Sequence, residues 1–187
     1  MSGGASSAWR RSAPALAVVG VILLLTIGGR VAATLAGEAA APNVGVDGVA
    51  VVHPPAGWSE NVEARASDGS SERTVIAKGN AAVVVTAIPD ARTAAPTLAE
   101  LYLGDVLGDR FLRYATTRPV PAVVGGLPGV RVTYVGETLQ GAAVEGVVTV
   151  AVSPDGAGLV LDGFAPEGFL AAIASDLRDM AEGAEIG

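Results

Sequence analysis

The chain has 187 residues, half of them hydrophobic, with a mean hydropathy of +0.48, no cysteine and a formal charge of −7. That is the size of one ordinary domain plus an apolar segment, and it excludes a disulfide framework, a thiolate nucleophile, a Cys-based zinc site and a lipidated N-terminal cysteine. Arg10, Arg11 and Arg30 precede the domain, leaving nine basic against nineteen acidic residues beyond them, a balance of −10 that argues against nucleic acid and anionic lipid surfaces as partners.

Residues 1–12 form a small polar tail, expected in the cytoplasm, that ends in Arg10-Arg11. Residues 13–29 (APALAVVGVILLLTIGG) are uncharged, and at about 1.5 Å per residue a helix of this length covers roughly 25 Å. With the flanking residues drawn in, a transmembrane helix is expected over residues 13–33. The arginine pair holds the N-terminus in the cytoplasm and sends the C-terminal domain outside, while Arg30 can snorkel to the far headgroups. Trp9 reads as an interfacial anchor. A retained anchor fits the length of the run better; a cleaved signal peptide would use Ala39-Ala40-Ala41 and free the domain. Residues 34–46, rich in Gly, Ala and Pro, are expected to be a linker, and residues 47–187 the exported domain.

Within that domain, residues 49–53 predict a short strand ended by Pro54-Pro55 and a turn closing at Trp58. Residues 62–66 give a second strand. Residues 74–77 and 82–88 flank Gly79-Asn80 as a hairpin, and the run Val83-Val84-Val85 implies a strand covered on both faces. Thr97-Leu98-Ala99-Glu100 has the form of a capping box opening a helix. Leu98, Leu101, Tyr102 and Val106 lie on one arc of it, and Leu103, Leu107, Phe111 and Tyr114 on another, so the helix is expected to break at Gly108. Residues 116–128 carry Pro119, Pro121, Gly125, Gly126 and Pro128 and predict an irregular loop. Strands are expected at 130–135, 143–152 and 158–164, followed by an amphipathic helix over 166–181 with Phe169, Ile173, Leu177 and Met180 in its apolar stripe.

This order of elements gives an α+β domain with one mainly antiparallel sheet and helices packed on it. The early strand with Pro55-Ala56-Gly57-Trp58, the hairpin into residues 82–88, Gly126-Leu127-Pro128-Gly129 before the three-strand meander, and the closing helix resemble the PsbP-like α/β/α sandwich. They are similar in particular to exported actinobacterial lipoproteins of the LpqN type and to type VII secretion-associated membrane proteins of that fold. The resemblance covers about residues 47–182. It implies a binding or assembly subunit of the cell envelope rather than an enzyme. Because the chain has no cysteine to acylate, the N-terminal helix would have to replace a lipid anchor.

The residues themselves offer little chemistry. His53 is the only histidine, and no Gly-x-Ser-x-Gly elbow presents a serine to it. Asp105 with Asp109, and Asp176, Asp179 and Glu182, have helical spacing that can gather oxygens around a hard cation, but nearby Arg113 and Arg178 make them solvated faces. No Gly-rich phosphate cradle is complete. No cofactor or metal is therefore expected. The expectation is a non-enzymatic module in which Leu103, Leu107 and Phe111, with residues 116–128, form or border a surface for an envelope protein partner. The alternatives are a carrier of an apolar small molecule or lipid between sheet and helix, and a hydrolase using His53 or a carboxylate pair.

Overall fold

The computed structural model describes residues 42–46, 48–67 and 72–187. The expected transmembrane helix over residues 13–33 and its flanks Arg10, Arg11 and Arg30 lie outside the described residues. Among the described residues, no helix is long and apolar enough to cross a membrane.

The strands are β1 (Val44–Val46), β2 (Ala50–Val52), β3 (Ser59–Ser67), β4 (Glu72–Lys78), β5 (Ala81–Ile88), β6 (Phe111–Thr116), β7 (Val120–Val124), β8 (Leu127–Thr138), β9 (Ala143–Val152), β10 (Gly158–Pro166) and β11 (Glu185–Ile186). Eight of them form one sheet in the order β3-β4-β5-β10-β9-β8-β6, with β7 also paired to β8, and every pairing is antiparallel. The central strands β5 and β10 are buried on both faces, as their near-continuous apolar runs dictate. β1, β2 and β11 form a separate three-stranded sheet. Because β1 belongs to it, the folded part reaches back to Val44, into the stretch expected to be linker.

Two apolar layers sandwich the large sheet. Val83, Val85, Leu159 and Leu161 face α3 (Leu170–Glu182), the small sheet and Trp58. Val84, Val132, Val148, Val160 and Phe164 face a second helical segment. That segment runs as α1 (Ala95–Tyr102), a π-turn (Leu103–Leu107) and the single turn α2 (Gly108–Arg110). Full burial of each Val, Leu or Phe side chain contributes about 1.5–3 kcal/mol, so these layers are the main source of cohesion.

The helical segment departs from expectation in three respects. It starts at Ala95 with Pro96 in its first turn and no side-chain cap, so a proline with preset φ does the work assigned to Thr97. It continues past Gly104 and Gly108, where an added Cβ would meet nothing within 4 Å. And both apolar arcs contribute to the core, Leu98 and Tyr102 from one and Leu103, Leu107 and Phe111 from the other. A π-turn bonds i to i+5 and so takes more residues per turn; it rotates the later residues back toward the core. Leu103, Leu107 and Phe111 are therefore core residues at 9%, 0% and 4% exposure, not a partner surface, and it is Leu101 that lies exposed.

The expected loop at 116–128 is a correction too. Phe111 leaves α2 in extended conformation and opens β6, after which β7 and β8 form a hairpin from Val120↔Arg131 to Val124↔Leu127. Pro121 is tolerated because β7 is an edge strand, where a missing N–H faces solvent. Gly125 and Gly126, with φ of +58° and +75°, make the tight turn between them.

Candidate functional site

At the centre of the sheet, β10 carries Asp162 in the otherwise apolar run Leu159 to Phe164, wholly buried. Its carboxylate accepts from Tyr134 Oη at 2.8 Å, Tyr102 Oη at 3.1 Å and Arg110 Nη1 at 2.5 Å. The Arg110 guanidinium lies 4.7 Å from the Phe164 ring centroid, and its Nε and Nη2 have no hydrogen-bond partner among the described residues. Burial alone would lower the Arg110 pKa, but Asp162 and the two phenols outweigh it and raise it. Burial, reinforced by the Asp162 charge, pushes both tyrosines well above their ordinary range. With every ionisable proton held so firmly and every side chain enclosed, this cluster is suited to fastening α1, the π-turn and α2 to the sheet. In the sequence, its only signal is a carboxylate inside a strand apolar on both faces, which requires a buried partner without naming it.

The other face is only half covered. Helix α3 is drawn onto β10 because Gly163 has no Cβ: one placed there would lie 2.6 Å from Leu177. Asp176 holds its far flank, accepting from Trp58 Nε1 and Lys78 Nζ, both at 2.8 Å. Burial would raise the Asp176 pKa, but these two hydrogen bonds and the Lys78 charge hold it below its ordinary value. The Leu170 N–H donates to Glu145 Oε1 at 2.7 Å near one end, and the Gly125 N–H donates to Ala181 O at 2.9 Å near the other.

Fixed in this way, α3 leaves a groove of 420 Å³ against β7, β8 and β9. Leu170, Ala174 and Leu177 line its helix wall; Val147, Thr133 and Thr149 line its floor. Arg131 from β8 and Arg178 from α3 both border it. A second, shallower hollow of 590 Å³ lies over the other half of β8 beside β6, and there Arg113 is neutralised by Glu137, Nε to Oε2 at 2.7 Å.

The residues weighed from the sequence do not converge here. His53 bridges Asn43 Oδ1 at 2.9 Å and Glu185 Oε1 at 3.1 Å, a tie at the small sheet. Asp105 and Asp109 are exposed, Asp176 is occupied by Trp58 and Lys78, and no group of three His, Asp or Glu residues placed to hold a metal occurs among the described residues. Of the expected contact region, Pro121 and its neighbours in β7 do border the groove. In the sequence Arg178 stands out only as a charge among the carboxylates of the last helix and Arg131 not at all, because their convergence depends on how α3 sits over the sheet.

No protein-family model matches the chain, and no curated protein matches it. Solved structures do. Cyanobacterial PsbP (CyanoP) from Synechocystis sp. PCC 6803 superposes with a TM-score of 0.56 at 11% identity, covering 81% of this chain and 95% of that one. The Ran-binding protein Mog1p of Saccharomyces cerevisiae gives 0.53 at 13% identity, covering 78% and 94%. LpqN of Mycobacterium tuberculosis, described as involved in cell envelope biogenesis, gives 0.47 at 12%, covering 73% and 82%. The domain thus has the PsbP-like fold, shared with Mog1p, as its order of elements had indicated.

Proposed function

We propose that the chain is a non-enzymatic binding or assembly module of the cell envelope, tethered by one N-terminal transmembrane helix over residues 13–33. Arg10 and Arg11 mark the cytoplasmic side, and the PsbP-like domain works outside, on another envelope protein. The observation that carries this reading is the groove beside α3, which offers hydroxyl and guanidinium donors next to an apolar wall. Such a mixture suits recognition: apolar area supplies affinity, and a few placed polar groups supply specificity.

Tether and groove are tested separately. With a C-terminal tag, the full chain should sediment with membranes, resist alkaline extraction and be cleaved by protease added to intact spheroplasts; recovery in the cytosol would refute the topology. A photo-crosslinking residue at Ala174 should give a discrete adduct in cells that one at Leu101, exposed on the opposite helical segment, does not. Identical patterns at the two positions would refute the groove as the working surface.

A further inference from the structure

The domain's exposed positive charge is unevenly satisfied. Lys78, Arg92 and Arg113 are paired with Asp176, Asp90 and Glu137. Arg118, Arg131 and Arg178 have no ion-pair partner among the described residues. Arg131 and Arg178 line one groove, with Glu182 the one carboxylate beside them. Two unpaired cations against one carboxylate thus share one groove of a chain whose net charge is −7. Like charges brought together repel, and an anion seated between them removes that cost.

The shape of the groove narrows the choice of anion. Its floor carries Thr133 and Thr149 beside Val147, and its helix wall presents Leu170, Ala174 and Leu177, with Arg178 and Glu182 toward the C-terminal end of α3. An acyl chain laid there would cross two hydroxyls and an arginine and leave much of its surface in water. An extended peptide fits better: side chains alternate along it, so one set can meet the arginines and the other the apolar wall, while its backbone uses the threonines.

We infer that the groove between α3 and β7–β9 binds an extended acidic segment of a partner protein, in which carboxylates alternate with aliphatic residues. This rests on the reading of the domain as a binding module and names its ligand class. The test uses the full chain in nanodiscs of zwitterionic lipid and a fluorescein-labelled ten-residue peptide alternating Glu with Val and Leu. The same peptide with Lys for Glu serves as control.

Saturable binding of the acidic peptide, with none of the lysine peptide, is expected. Affinity should fall about tenfold or more in Arg131→Glu/Arg178→Glu, weaken with added salt, and stay unchanged in Arg92→Glu, whose charge is already paired. Equal binding of both peptides, no loss in the double variant, or no saturation by about 1 mM acidic peptide, the weak limit of specific association, would overturn the inference. So would sodium dodecanoate binding in the groove where the acidic peptide does not. If the Ala174 crosslink forms in cells while the peptide fails, the ligand class is wrong and the binding module stands; if both fail, the module reading falls as well.

Discussion

Arg110 and Asp162, 52 residues apart in sequence, meet as an ion pair whose side chains are 2% and 0% exposed. One comes from the last turn of the helical segment and the other from the middle of the sheet, so the pair fixes where that segment lies. Buried ion pairs gain little over apolar packing, yet removing one partner strands the other without solvent. Asp162→Ala should therefore cost about 3–5 kcal/mol in urea unfolding, since it strands a guanidinium and two phenols together. Arg110→Met, which leaves the carboxylate with two phenolic donors, should cost less. Combining the two should be less damaging than the sum of the single changes. Strict additivity would mean that the pair does not act as a unit.

Tyr134 reaches Asp162 only because residue 146 has no side chain. The ring crosses β9 over Gly146, where a Cβ would collide with the phenolic carbon and oxygen. Gly146→Ala must displace the ring and break its hydrogen bond, an overpacking cost of about 1–3 kcal/mol. Tyr134→Phe removes only the hydroxyl, for about 1 kcal/mol plus the exposure of an unmet acceptor. The alanine variant should lower Tm more than the phenylalanine variant; the reverse order would show that β9 shifts to accommodate the methyl group.

Leu107 and Leu101 give opposite predictions on one helical segment. Leu107 is fully enclosed beneath the π-turn and Leu101 is 54% exposed. Leu107→Asp should prevent folding or lower stability by more than about 4 kcal/mol, because it buries an unpaired charge in a packed layer. Leu101→Asp should change stability by no more than about 0.5 kcal/mol. Thermal melts monitored by circular dichroism separate them. Similar losses at both positions would mean that the segment is an ordinary α-helix with another face inward.

The same segment shows what the residues disclosed and what they did not. Val83-Val84-Val85 announced a doubly covered strand, and residues 143–147 alternate as a half-buried strand does, whereas Val148 to Ala151, Thr149 included, are buried on both faces where the sheet is covered on either side. The α+β order and its PsbP-like arrangement followed from those strands. The π-turn was hidden because two apolar arcs at α-helical spacing signify either a break or a wider turn, and only packing on Asp162 and Val132 decides between them. β7 was hidden because prolines and glycines forbid a central strand but permit an edge hairpin. The groove was least legible: Arg131 and Arg178, 47 positions apart in sequence, carry no mutual pattern until α3 is laid against β10.

Asp176 links stability to acid. Its carboxyl is held below its ordinary 3.8, against the opposing effect of burial, by hydrogen bonds from Lys78 and Trp58 and by the Lys78 charge. A carboxyl depressed in the folded state stabilises at pH values above its unfolded value, and that contribution fades as pH falls through the lower folded one. Asp176→Asn should thus be less stable than the wild type near neutral pH, with the gap closing below about pH 4. Solvent exposure of Lys78 keeps the gap small. Melts across that range check it, and a gap that widened toward acid would contradict the assignment. The indole of Trp58 reports the same event, since its N–H donates to the carboxylate that is being protonated.

Gly125 closes one end of the groove. Its φ of +58° and its approach to the Ala184 carbonyl, where a Cβ would collide, leave no room for a side chain; its own N–H donates to Ala181 O at 2.9 Å. Gly125→Ala is strained in conformation and in space, so the β7–β8 turn must lift from the C-terminal end of α3. The central sheet, where β10 pairs with β5 and β9 away from this turn, should be little affected. Amide hydrogen exchange should quicken at residue 125 and through β7 while β5 and β10 keep their protection, and binding in the groove should weaken with it. Uniformly faster exchange across the domain would instead show that the turn belongs to the global fold and does not act as a separable stop for the groove.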